Sequence, residues 1–326
     1  KVDKVDRKQL LSKSKTLEYE PLLNQDILKS GITYSEYRTD DARLTIEVLK
    51  SAIRVGAESF NYMKVDSFEY NNGTISGVKC TDRVAGNEEV FNARNIVSAA
   101  GPWVDQLRLK DGELNNKSLH LTKGVHIVVP KEKLNIHSAV YFDAFDGRMI
   151  FAVPRGKVTY IGTSDTTYDK DLDRVLCTQE DVDYLLEKTN HMFEVAFLNR
   201  EDVISSWAGL RPLIHEDGKS PSELSRKDEI FVSDKGLISI AGGKLTGYRK
   251  MAKRIVDLVQ EKDDELIKSK CLTKRHALHA DPLASYQEFR QYYTRLWKEV
   301  TLSTVKEYDC WYLSSTYGRN AGVILQ

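Results

Sequence analysis

ISIAGGKLTGYRK, residues 238–250, reads as a buried strand that runs into two glycines and then into a long basic helix continuing through MAKRIVDLV. Gly242 and Gly243 carry no side chain, so an electron-rich ligand can approach the free backbone N–H groups at the start of that helix. Lys244 adds a cation there and Thr246 a hydroxyl. Taken alone, Gly-Gly-Lys is more often an ordinary turn before a helix than a receptor for an anion or carbonyl. Its weight depends on the segments around it.

Working outward, NIVSAAGPWVDQL (95–107) has the same grammar: a buried strand, a turn of small residues and a helix begun at Pro102. Ala99, Ala100 and Gly101 bring backbone close to something flat or bulky, and Trp103 is available to pack beside it. Upstream, Thr39, Asp40 and Asp41 precede ARLTIEVLKSAIRVGA, whose broad apolar face, acidic N-terminal end and closing Gly56 predict a helix. Two alternating runs flank Asn71-Asn72-Gly73, a hairpin signal, and a further strand, EEVFNAR, follows a Gly86-Asn87 turn. Residues 8–24, with leucines at helical spacing, predict another helix, and GITYSEYR a strand.

From about 119 to 209 the texture changes to β-rich segments with longer connections. One helix, TQEDVDYLLEKTNHMF, interrupts them, with Thr178 and Asp181 spaced as in a capping box. KGVHIVVP (123–130) places His126 inside an apolar strand, where a lone histidine is more often a hydrogen-bonded structural residue than a catalyst. WAGLRPLI (207–214) places Arg211 at a strand end before Pro212, and a guanidinium there suits bidentate binding of phosphate or carboxylate. After Lys270 the chain is polar, aromatic and helical in pattern.

Composition narrows the function classes. The chain has 326 residues, with 48 Lys plus Arg against 48 Asp plus Glu, a net charge of zero that argues against a dedicated nucleic-acid binder. Hydrophobic residues at 41% and aromatics at 9% suffice to fill real cores over about two domains. No apolar run approaches the ~18 residues of a membrane span, and the start lacks a signal-peptide core. Cys80, Cys177, Cys271 and Cys310 form no CxxC, so neither a zinc site nor a disulfide framework is indicated and a reducing, cytoplasmic setting is expected.

In combination and order, EYRTDDARLTIEVLKSA, NIVSAAGPWVDQL, LTKGVHIVVP, YIGTSDTTYD, SSWAGLRPLI, KSPSELSRKDEIFVS and AGGKLTGYRKMA closely resemble the FAD-dependent glycerol-3-phosphate dehydrogenases and oxidases of the D-amino-acid-oxidase-like superfamily. The resemblance covers most of residues 8 to 260. It implies an α/β fold, α+β overall, with an incomplete FAD-binding Rossmann-like domain, an antiparallel substrate domain and a helical C-terminal cap. The expected division is residues 1–37 in the substrate domain, 38–118 with 230–262 as the remainder of the FAD-binding domain, 119–229 as the antiparallel substrate domain, and 263–326 as part of the cap.

The implied activity is oxidation of sn-glycerol 3-phosphate to dihydroxyacetone phosphate, with FAD as cofactor and quinone as electron acceptor. The same likeness assigns Arg211 to the phosphate. It places Lys244 beside flavin and substrate, where it stabilises negative charge on the reduced ring or binds substrate oxygens. His126 becomes the leading candidate for catalytic base or substrate orienter. Backbone groups around Gly243, Lys244, Leu245 and Thr246 face the flavin pyrimidine, and Val65, Gly101 and Trp103 contact the FAD. A peripheral contact with the inner face of the membrane and a homodimer are compatible with the family.

One departure stands out. The family opens with a GxGxxG strand–turn–helix for the FAD pyrophosphate, and no GxGxxG occurs in this chain, which begins at Lys1. The expectation is therefore a fragment without the first βαβ unit, poor at binding FAD and inactive alone. An oxidase that uses O2 and a non-catalytic folded binding or assembly module are the alternatives; the short interval 212–237, without a long insertion, favours the dehydrogenase.

Overall fold

The computed structural model describes residues 7–36, 39–112, 114, 117–163, 165–193, 197–216, 227–278 and 282–326. The chain divides into two compact units, Lys1–Tyr37 with Lys64–Val259 and Arg38–Met63 with Gln260–Gln326. The sequence-derived boundaries cut differently, since they assign residues 38–63 to the nucleotide-binding portion.

At the start, β1 (Gln9–Ser12) pairs antiparallel with β2 (Ser30–Thr33), and α1 (Lys13–Tyr19) lies between them. The single helix expected over 8–24 is therefore shorter. Ser12 caps α1 by accepting from the Lys15 N–H at 3.3 Å, and the leucines before that cap belong to a strand. Helix α2 (Asp41–Arg54) forms where expected, with the Asp40 carboxylate accepting from the Arg43 N–H at 3.0 Å.

β3 (Met63–Asn71), β4 (Thr74–Asp82) and β5 (Glu88–Asn92) make a three-stranded sheet. Its first turn places Asn72 and Gly73 at positive φ (50° and 81°), the geometry that suits Asn-Gly between twisted strands. The next strand, β6 (Val97–Ser98), is only two residues long and leads through a 3-10 turn at Gly101–Trp103 into α3 (Val104–Asp111).

The largest sheet contains six strands: β7 (Lys117–Pro130), β8 (Val140–Asp143), β9 (Met149–Arg155), β10 (Val158–Gly162), β11 (Thr166–Thr167) and β12 (Ser205–Glu216). β10 and β11 pair with one side of β7, and β12 takes the other. Helix α4 (Gln179–Met192), started by the Thr178–Asp181 capping box, covers one face. There Val125, Ile127, Val129, Ile150, Ala152 and Ile161 pack with Val182, Leu185 and Phe193, which alternation along the strands requires.

β13 (Asp228–Val232) and β14 (Ile238–Gly242) join β6 in a third sheet, where β14 runs parallel to β6. One side of β14 meets α5 (Tyr248–Lys262) through Ile238, Ile240, Ile255 and Met251; Ala241 packs with Val104 of α3 and Ile214 of β12. Residues 219–226, within the KSPSELSRKDEIFVS segment, and Tyr37 and Arg38 of EYRTDD lie outside the described residues.

In the second unit, α6 (Tyr286–Glu299), α7 (Glu307–Tyr317) and α8 (Ala321–Ile324) gather with α2. The Tyr292 hydroxyl donates to the Arg319 carbonyl at 2.7 Å and accepts from the Gly322 N–H at 3.1 Å. The Arg43 guanidinium lies 4.5 Å from the Tyr317 ring centroid, and Ser51 Oγ is 3.3 Å from His276 Nε2. The architecture is thus mixed α/β with antiparallel sheets and C-terminal helices.

Candidate functional site

The six-stranded sheet has a second face, opposite α4, and it is lined quite differently. Directly paired residues of antiparallel strands project to the same side. Hence His126 of β7, Trp207 of β12 and Gly162 of β10 share this face, as do Gly124 with Gly209 and Thr122 with Arg211. The His126 and Trp207 rings stack with centroids 4.6 Å apart and planes 8° from parallel. Phe151 and Tyr160 flank the histidine at 5.3 and 6.4 Å. Tyr141, 5.4 Å from Phe151, extends the aromatic row.

Room for the two polar side chains comes from missing ones. A Cβ at Gly162 would lie 2.8 Å from His126 Nε2, and one at Gly124 would lie 2.7 Å from Arg211 Nη2 and 2.8 Å from Thr163 Oγ1. The guanidinium thus folds back over Gly124. There it donates to Thr163 Oγ1 at 3.0 Å and to Asp165 Oδ1 at 3.1 Å. His126 and Arg211 are brought together on one surface.

Their proximity shapes the imidazole. Burial, and secondly the positive charge of Arg211, lower the His126 pKa from 6.5 to about 4, so the ring is neutral at pH 7. Its Nδ1 is enclosed and unpartnered, as is the hydroxyl of buried Thr122. A neutral imidazole beside a fixed cation is equipped to accept a proton once an anion offsets that cation.

The glycine segment occupies the end of the third sheet. Because β14 and β6 are parallel, with Ile238 opposite Val97 and Ser239 opposite Ser98, Gly242 and Gly101 emerge at the same carboxyl end. In open α/β sheets that end is where ligands bind. Gly242 and Gly243 both have positive φ (77° and 76°). A Cβ on Gly242 would lie 2.6 Å from the Lys227 carbonyl, and one on Gly243 would lie 3.1 Å from Met251 Sδ. Gly101, also at positive φ (54°), faces open space.

Lys244, Leu245 and Thr246 follow as an exposed turn leading into α5. Trp103, 38% exposed, is held by its Nε1–H donating to Asp173 Oδ1 at 3.0 Å. Val65 sits on β3, packed on Phe68, Ile75 and Leu237 in a cluster that also takes in Ile96 and Leu107, either side of Gly101 in the chain. Ile214, three residues beyond Arg211 on β12, approaches to 3.4 Å of the Gly242 Cβ position and ties the two regions.

These features fit a flavin. The left-handed glycines 242 and 243 pack closely on Lys227, Asp228 and Met251 and turn the chain into an exposed segment, Gly101 opens to free space beside an exposed indole, and a helix N-terminus follows. Gly101, Trp103 and the Gly243–Thr246 turn are the residues that could hold the ring. Thr122, Thr163 and Asp165 lie within LTKGVHIVVP and YIGTSDTTYD and Asp173 lies outside the quoted motifs, yet none of the four shows its role locally. Only the register of β7, β10 and β12, and the return of the 168–177 segment to Trp103, bring them in.

Comparison with known proteins agrees. The chain is 48% identical over 322 residues to an aerobic glycerol-3-phosphate dehydrogenase of Bacillus subtilis, covering 98% of this chain and 58% of that protein. Identity to the aerobic glycerol-3-phosphate dehydrogenase of Staphylococcus aureus is 51% over 293 residues, 88% of this chain and 53% of that one. The chain thus spans somewhat more than half the length of these curated relatives. The crystal structure of the glycerol-3-phosphate dehydrogenase from Bacillus halodurans complexed with FAD superposes with a TM-score of 0.85 at 46% identity, over 97% of this chain and 61% of that one. The family of FAD-dependent oxidoreductases matches residues 2–249, and the chain belongs to that family.

Proposed function

We propose that the chain forms the substrate-binding and flavin-contacting part of an enzyme that oxidises sn-glycerol 3-phosphate to dihydroxyacetone phosphate and passes the electrons to quinone. The observation that carries this reading is the juxtaposition of Arg211 and neutral His126 on one sheet face. A guanidinium seated over a glycine suits a phosphate dianion. FAD, when bound, accepts the hydride that leaves C2 of the substrate.

The chain's own residues do the remainder. Arg211 fixes the phosphate, offset by the neighbouring hydroxyl of Thr163 and carboxylate of Asp165. His126 Nε2 takes the proton of the C2 hydroxyl as C2–O becomes a carbonyl. The substrate phosphate cancels part of the Arg211 field and so raises the basicity of His126 at the moment it is needed. Lys244 binds a substrate oxygen or offsets negative charge at the ring, and the amides of Gly243 to Thr246 face its pyrimidine edge.

Similarity to dehydrogenases over nearly the whole chain, and the short 212–237 interval, support quinone over oxygen as acceptor. Because the chain contains no GxGxxG, its own grip on FAD is weak. No described helix is long and apolar enough to cross a membrane.

The test expresses the chain within a polypeptide of the relatives' full length and follows bleaching of the oxidised flavin. Glycerol 3-phosphate should bleach it, glycerol and amino acids should not, and Arg211→Ala should raise KM at least tenfold. An unchanged KM in that variant defeats the assignment of Arg211. Peroxide formed in air without another acceptor defeats the dehydrogenase reading.

A further inference from the structure

Three glycines lie on the face that carries His126 and Arg211, and they differ in what occupies the space above them. Gly162 is overlain by the histidine ring, and Gly124 by the guanidinium and Thr163. Gly209, paired with Gly124 across β12 and β7, has nothing within 4 Å of the position its Cβ would take. It is exposed and lies between Trp207 and Arg211, each two residues away on the same side of the strand. Those two residues stand roughly 13 Å apart along the strand. The Arg211 guanidinium folds back over Gly124, so the open space above Gly209 lies between that guanidinium and the Trp207–His126 stack.

We propose that Gly209 is the floor of the substrate slot and a specificity-determining residue. The slot is walled by the Trp207–His126 stack at one end and by Arg211 at the other. A phosphate on Arg211 lays its attached carbons over Gly209, and this brings a hydroxyl near the imidazole. Any side chain at 209 projects into that path. The inference rests on the reading of Arg211 as the phosphate site, and it adds that the length and bulk of the phosphate ester are sensed at a position bearing no functional group.

Gly209 suits the purpose as a test position. Its φ lies outside the left-handed region and its Cβ meets nothing, so the fold does not require glycine there. A β-branched residue is favourable in a strand. A change in ligand binding on substitution therefore reports on the slot. Gly124 is the contrast, because a Cβ there displaces the guanidinium itself.

The experiment titrates the protein and its Gly209→Ala, Gly209→Val, Gly209→Leu, Gly124→Ala and Arg211→Ala variants with two probes, glycerol 3-phosphate and inorganic phosphate, by calorimetry. Thermal unfolding is recorded for each variant. Inorganic phosphate needs only Arg211, whereas the ester needs the slot as well. The expected result is a graded loss of glycerol 3-phosphate affinity from Ala to Leu at 209, tenfold or more for Leu, with phosphate affinity held within twofold and Tm unchanged. Gly124→Ala and Arg211→Ala should weaken both probes together.

Retention of glycerol 3-phosphate affinity within twofold in Gly209→Leu overturns the slot while leaving the phosphate site standing. Equal loss of both probes in Gly209→Leu also overturns it, since the residue would then act through Arg211. If Arg211→Ala binds both probes as the unmodified protein does, the phosphate reading itself fails and the slot with it.

Discussion

Acid should weaken the six-stranded sheet through one residue, and the effect is large enough to isolate. The His126 imidazole has its pKa lowered from 6.5 to about 4 in the fold, by burial first and by Arg211 second. Between those values the unfolded chain takes up a proton that the folded chain refuses, so stability rises with pH and falls as the solution is acidified. Each pH unit in the window is worth ~1.4 kcal/mol, which makes the loss about 3 kcal/mol by pH 4.

The perturbation is His126→Phe. Phenylalanine keeps an aromatic ring against Trp207 and cannot titrate. It also removes the enclosed, unpartnered Nδ1, and on that account it should stabilise the sheet at pH 7 by about 1–3 kcal/mol. The assay is hydrogen exchange of the β7 amides, Val125 to Val129, in the regime where exchange reports the opening equilibrium, from pH 7 to 4.5. The protein should lose protection steadily below pH 6.5, and the variant should not. The buried carboxylate paired to β7, Asp181, does not interfere in this window. Burial works against ionisation of Asp181, but hydrogen bonds from Lys123 and Thr178 hold its pKa below the ordinary 3.8, so its contribution is lost only at lower pH. Parallel pH slopes in the two proteins would falsify the account of His126.

Other expectations follow from particular contacts. Thr178→Ala removes the hydroxyl that accepts from the Asp181 N–H and donates to its carboxylate, and it should cost about 1 kcal/mol in denaturant unfolding. Lys123→Met strips the cation 2.5 Å from the largely buried Asp181 and should cost about 3–5 kcal/mol; adding Asp181→Asn should recover part of that loss, and a double variant no better than the single one refutes pairing as the cause. Gly73→Ala, at φ 81° in the β3–β4 turn, should lower stability by about 1 kcal/mol, read as a lower Tm.

Much of the fold was legible where a local device announces an element. Asp40 before α2, Thr178 with Asp181 before α4, and Asn72-Gly73 between β3 and β4 each mark a boundary by short-range hydrogen bonding or by φ alone. Leu10 and Leu11 misled because leucine spacing cannot distinguish a short strand followed by a helix from one continuous helix, and the pairing of Leu10 with Ile32 decides it. The run NIVSAA suggested a full buried strand, yet β6 keeps only Val97 and Ser98, and Val97 is 41% exposed.

The candidate site divides in the same way. His126, Arg211 and Lys244 draw notice by residue type within motifs. The partners of Arg211, Thr163 and Asp165, stand in the YIGTSDTTYD motif, but their link to a guanidinium 48 and 46 residues away in sequence is made only by strand pairing. Gly124, Gly162 and Gly209 look alike as letters. Their separate roles exist only in what stands above each one.

The pairing of β7 with β12 runs unbroken through twelve residue pairs, from Ser205 opposite Val128 to Glu216 opposite Lys117. Within it, the stacked rings and the guanidinium share one side while Ala208 and Ile214 serve packed cores from the other. Losing or gaining a single residue between Trp207 and Arg211 would turn one of them over to the oily side, because strands alternate by twos. Single-residue insertions and deletions in this short interval are therefore barred even though many of its individual positions could change. A lineage that altered substrate would have to do so by exchanging side chains at fixed length, which makes the spacing of WAGLR a more durable signature than its spelling.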